Sequence, residues 1–131
     1  MGRFVTRTLS RKPDAIAPDG SQVRLLASAS RGSMAHFKLP PGVVSKAVAH
    51  RTVEEVWYFI AGRGRMWCKL GTHEEIIQAE PGVSISILVG THFQFRCDGE
   101  EALEAVGVTM PPWPGMDEAF PVEGPWVAGK A

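Results

Sequence analysis

Glycine and proline punctuate this chain so closely that almost every segment must be short. Gly20, Gly32, Pro40-Pro41-Gly42, Gly62, Gly64, Gly71, Pro81-Gly82, Gly90, Gly99 and Gly107 divide it into pieces. Between them lie VRLLAS, MAHFKL, VWYFIA, RMWCKL, EEIIQAE, VSISILV, FQFRC and EALEAV. Several are rich in β-branched and aromatic residues, which suit a pleated, half-buried surface. Short runs of this kind, bounded by turn residues at even spacing, predict an all-β sandwich or barrel. In VSISILV, Ile85 and Ile87 fall on one face and Ser84 and Ser86 on the other. That is the alternation of a half-buried strand.

One stretch departs from this rhythm. Val43 to Ala61 runs for 19 residues without glycine or proline. Val53, Val56, Trp57 and Ile60 recur there at helical spacing, so periodicity alone admits a helix. Strand is preferred because VWYFI is the strongest β-forming run in the chain.

Length and composition restrict what such a chain can do. At 131 residues it is expected to form one domain, 1–131. Fourteen basic residues balance 14 acidic ones, so no electrostatic case exists for nucleic acid or a membrane surface as partner. No apolar run approaches the ~20 residues that span a bilayer, and MGRFVTRTLSRKPD lacks the apolar stretch of a signal peptide. Two cysteines, Cys68 and Cys97, exclude a disulfide scaffold and a four-cysteine zinc site. A reducing, cytoplasmic location is the expectation. Neither thiol is marked as a nucleophile, no Gly-x-Ser-x-Gly is present, and Gly62-Arg63-Gly64-Arg65 reads as a hairpin turn rather than a phosphate loop. The tail from Pro111 carries five prolines and can be neither regular helix nor central strand. It is either disordered or wraps the surface, and Trp113, Phe120 and Trp126 as anchors argue for wrapping.

The spacing around Gly42 is more specific. Gly42-VVSKA-Val48-Ala49-His50-RTVE-Glu55-VWYFIA-Gly62 resembles the first motif of the cupin superfamily, a Gly, His-x-His, Glu and Gly at set intervals. Every interval agrees, and Val48 stands where the first His belongs. Gly82-VSISI-Leu88-Val89-Gly90-Thr91-His92-Phe93-QFR-Cys97 keeps the frame of the second motif, with Leu88 for Pro, Phe93 for His and Cys97 for Asn. The resemblance covers roughly residues 21–110 and leaves 111–131 as a tail packing on the surface. It implies a single-domain cupin-type jelly-roll β-barrel, often a homodimer, with a pocket inside.

The family holds a divalent metal at positions that here are Val48, His50, Glu55 and Phe93. Valine and phenylalanine have no lone pair to give, so only His50 and Glu55 remain as donors. A metal-bound form with Zn, Ni, Mn or Fe would need a recruited ligand, for which His92 and His36 are the candidates. His92 should point away if Phe93 points inward, unless a bulge re-aims it. His36 cannot be placed on a face. His73 reads as a solvated turn residue.

His50 and Glu55 are the candidate catalytic pair, since an imidazole beside a carboxylate can move protons near neutral pH. Val48, Trp57, Phe59, Phe93 and Phe95 are the candidate pocket wall, sharing the inward parity. Glu54, Gln94 and Arg96 take the outward parity. The function expected is small-molecule binding with an incomplete metal site. The alternative is an enzyme of isomerase, epimerase, lyase or dioxygenase type acting on a small polar substrate through His50 and Glu55. A structural subunit with a filled barrel is a third reading.

Overall fold

The computed structural model describes residues 4–130. Its strands in chain order are β1 (Ala15–Ile16), β2 (Gln22–Ala29), β3 (Gly32–Leu39), β4 (Val43–Val44), β5 (Val48–His50), β6 (Glu54–Ala61) and β7 (Gly64–Leu70). They continue as β8 (His73–Ala79), β9 (Ser84–Ile87), β10 (His92–Cys97), β11 (Leu103–Met110), β12 (Ala119–Pro121) and β13 (Gly129–Lys130). A single 3-10 turn, Met116–Glu118, is the helical element among the described residues. The stretch from Val43 to Ala61 is therefore strand, as its β-branched and aromatic residues predict.

All ladders are antiparallel and form two sheets. One runs β1-β2-β3-β11-β6-β9. In the other, β10 pairs with β7 along one edge, and with β4 and β5 end to end along its opposite edge. Further out, β8 extends β7, β12 extends β5 and β13 extends β4. This is an all-β jelly roll. Among the described residues no ladder joins the two sheets, so side-chain packing rather than a continuous hydrogen-bonded wall closes the expected barrel.

Alternation decides what faces inward. On β6, Glu55, Trp57 and Phe59 are buried while Glu54, Val56, Tyr58 and Ile60 are exposed. On β11, Leu103, Ala105, Gly107 and Thr109 take the same role. The core gathers Leu39, Phe59, Met66, Phe95, Cys97 and Leu103 from both sheets.

Two glycines do more than end a strand. Gly62 turns the β6–β7 hairpin at φ 78°, and a Cβ there would lie 2.2 Å from the Ala102 carbonyl oxygen. Gly107, by contrast, breaks nothing and sits in mid-strand on β11. A Cβ at Gly107 would lie 2.7 Å from Trp57 Cδ1 and 3.0 Å from Phe37. Its bare backbone leaves room for Trp57 to stack on Phe37, with centroids 4.6 Å apart and planes 13° from parallel. Read as a turn residue from sequence, it is a packing residue in the fold.

The tail wraps, as its aromatic residues suggest. It contributes β12 and β13 to sheet edges, where proline is tolerated. Trp126 lies against the guanidinium groups of Arg65 and Arg96, 5.5 and 5.4 Å from its ring centroid. Parity gives Gln94 the outward face. It does take the outer face of β10, but the tail covers it: its amide donates to the Ser45 and Trp126 carbonyls, each at 2.8 Å.

Candidate functional site

Strand β5 ends at His50 and β6 begins one residue before Glu55, so a three-residue link sets their separation. That link is held by Glu118, which sequence reading did not single out. Glu118 accepts from the Thr52 and Val53 amides at 2.6 and 3.0 Å and from the Thr52 hydroxyl at 2.5 Å. Burial works against its charge, but these donors outweigh it and hold the carboxyl below its usual range. Glu118 thus positions the pair without belonging to it.

His50 Nδ1 lies 3.1 Å from Glu55 Oε1. The angle between them is not that of a hydrogen bond, and Nδ1 is a buried nitrogen with no partner. The Trp57 indole N–H donates to the other carboxylate oxygen, Oε2. Only 5% of His50 and 3% of Glu55 is exposed. Burial pushes the Glu55 carboxyl up to about 7; the Trp57 N–H opposes this and the nearby Asp19 carboxyl adds to it. Burial also pushes His50 down to about 4, against the attraction of Glu118. Desolvation therefore outweighs mutual attraction, and the pair is held uncharged rather than as an ion pair.

Around this pair opens a cavity of about 590 Å³, within the range of small-molecule sites. Its walls are largely apolar and include Val48, Trp57, Phe93 and Trp113. His50 meets Phe93 edge-on at 5.2 Å and Trp113 at 5.1 Å. Trp113 is aimed by its own backbone, which donates to the Ser33 hydroxyl at 3.0 Å. That hydroxyl shares a 2.6 Å hydrogen bond with Thr109, the residue opposite Glu55 on β11. The N-terminal segment borders the opening through Val5 and Arg7.

Asp19, from the link between β1 and β2, also faces the cavity and is 5% exposed. Its Oδ1 accepts from the Ser21 amide at 2.9 Å and hydroxyl at 2.6 Å. Burial raises its carboxyl, although these bonds oppose the shift. In sequence, Pro18-Asp19-Gly20-Ser21 carries only a turn signal, so nothing marks Asp19 as a wall residue. Trp113 was legible as an anchor of the tail, not as part of the cavity.

The residues nominated from sequence divide clearly. Val48, His50, Glu55, Trp57 and Phe93 border the cavity together. Phe59 and Phe95 do not line it, contrary to expectation. They pack behind Trp57, at 6.1 and 5.2 Å between centroids, in the solid part of the interior. Neither candidate extra ligand joins the pair. His92 precedes the inward Phe93 and takes the opposite face of β10, with no bulge in its ladder to re-aim it. His36 precedes the inward Phe37, and its Nε2 lies 2.7 Å from Glu104 on the outer side of the sheet. Among the described residues no group of three or more His, Cys, Asp or Glu could hold a metal ion. Two donors with Val48 and Phe93 filling the other positions do not fit a tightly held divalent cation.

No protein-family model matches the sequence, and no curated protein matches it. Solved structures do. Oxalate decarboxylase from Bacillus subtilis, determined at pH 4.6, superposes with a TM-score of 0.70 over 83% of this chain at 16% identity. A second structure of that protein, from a study of its Mn(II) centers, also gives 0.70, over 86% of this chain. At this identity the likeness shows the fold alone, which is the cupin-type jelly roll. The chain spans less than a third of the length of these oxalate decarboxylase chains, 29% and 30%.

Proposed function

We propose that this chain binds a small, largely apolar molecule inside the jelly roll and recognises its polar end with His50 and Glu55. The observation that carries this reading is the 590 Å³ cavity, whose aromatic and aliphatic wall converges on one buried carboxyl–imidazole pair. Buried polar groups cost free energy unless they find partners, so an unpartnered nitrogen beside an open cavity is suited to a ligand. The metal chemistry of the structural neighbours is not carried over, because Val48 and Phe93 supply no donors.

A second reading rests on Glu55. A carboxyl pushed to about 7 is poised to give or take a proton near neutrality, with His50 beside it as a neutral acceptor. In this reading Glu55 would act as general acid or base on the bound molecule, in an isomerisation, epimerisation or elimination.

The test is a ligand-observed magnetic resonance screen of small aromatic carbonyl, alcohol, carboxylate and amine compounds, followed by thermal-shift titration of the hits. Compounds that compete for one site should raise the melting temperature. His50→Ala should remain folded and lose that response. A variant that responds as the parent does would refute the role given to His50.

A further inference from the structure

Among the described residues, the cavity wall carries two buried carboxyl groups, Asp19 and Glu55, and no buried cation to balance them. The cations that come near are exposed: Arg7 at the opening, and Lys46, which faces Asp19 from outside the wall. Burial without a cation holds Glu55 largely in its neutral form, and a cation entering the cavity would draw it to the carboxylate. His50 adds a second observation of a different kind. Its Nδ1 is buried, unpartnered, and 3.1 Å from Glu55 Oε1 without hydrogen-bond geometry. With the imidazole neutral and Glu55 ionised, Nδ1 in its acceptor tautomer and Oε1 form two adjacent acceptors with no donor to serve them both. A ligand group carrying more than one N–H would satisfy both at once. Trp57, Phe93 and Trp113 line the same cavity and offer apolar surface beside this pair.

Resting on the binding reading above, we infer that the cavity selects an organic ammonium ion, its N–H groups donated to Glu55 and His50 and its apolar body held among Trp57, Phe93 and Trp113. Asp19 supports the charge from further along the wall. Arg7 is placed to disfavour cations at the opening, but it is exposed while the two acids are not.

The test is calorimetric titration of the unmodified protein with three molecules of similar size: phenethylammonium, phenethyl alcohol and hydrocinnamate. The ammonium should bind at least about ten-fold tighter than the alcohol, equivalent to about 1.4 kcal/mol, and hydrocinnamate should bind weakest. Glu55→Gln should abolish that preference, and Asp19→Asn should reduce it in part. Because the charge series is read on the unmodified protein, a variant that fails to fold leaves the decision intact. Equal affinity for ammonium and alcohol overturns the ammonium assignment and leaves the binding reading standing. Preference for hydrocinnamate does the same and transfers recognition to Arg7. Uptake of none of the three overturns both.

Discussion

Along β6, Glu55, Trp57 and Phe59 face one interior, yet the first looks into an open cavity and the last is sealed by neighbours on every side. Strand β10 repeats the contrast, with Phe93 at the cavity and Phe95 in the packed end. The same alternation and the same residue types build both ends. What differs is the partner across the interior. Phe59 and Phe95 share their end with Met66, Leu39 and Leu103, all fully buried. Glu55 and Phe93 meet Thr109, His50 and the edge of Trp113, which leave space between them. One end is therefore packed solid and the other keeps an open cavity.

The largest effect should separate these ends directly. Phe59→Ala should lower unfolding free energy by about 3–5 kcal/mol, as large-to-small changes in a closed core do. Trp113→Ala, at the half-buried cavity wall, should cost about half that or less, yet remove ligand response. Urea unfolding with and without a screened ligand checks both. Equal losses in the two variants would erase the distinction.

A pH profile sharpens it further. The folded state keeps Glu55 protonated up to about 7, whereas the unfolded chain releases that proton near 4.5, so this group lowers stability as pH rises from 4.5 to 7. His50 titrates near 4 when folded and 6.5 when unfolded, so it lowers stability as pH falls from 6.5 to 4. Between 4.5 and 6.5 the two slopes oppose and cancel. Glu55→Gln removes one of them. Its unfolding free energy should rise by about 1 kcal/mol per pH unit over that window relative to the parent. Parallel profiles would mean that the pair titrates as exposed groups do.

The open end should also accept what the family position lacks. Phe93 lies directly opposite Val48, and both border the cavity with His50 and Glu55. Val48→His combined with Phe93→His should retain about one divalent metal per chain after dialysis, measured by elemental analysis. Metal content equal to the parent would show that the four positions do not converge. The smallest effect belongs outside. His92→Ala should change stability by less than about 0.5 kcal/mol and leave ligand response intact, because its side chain takes the other face of β10.

Much of this architecture was legible beforehand, and for local reasons. Alternation along VWYFI and VSISILV placed Trp57 and Phe59 on one face and Ile85 and Ile87 on one face, and the resemblance of residues 42–62 to the first cupin motif implied that His50 and Glu55 share the interior. These properties depend on a period of two and on chain spacing, which the sequence carries in full. Parity could not say where along the interior the packing stops, so Phe59 and Phe95 were assigned to a cavity they do not touch. Nor could it say that Gly107 serves Trp57 rather than a turn, because the reason lies on a different strand.

The sequence by itself determined an all-β chain and the alternating faces of its strands, and its resemblance to the cupin motif implied the nearness of one histidine to one glutamate. Only the tertiary structure decided that Glu118 braces the link between them, that Asp19 joins the wall and that Trp113 folds back over His50. Those contacts join residues from distant parts of the chain. Their energies come from packing and desolvation across the fold, where no local pattern records them.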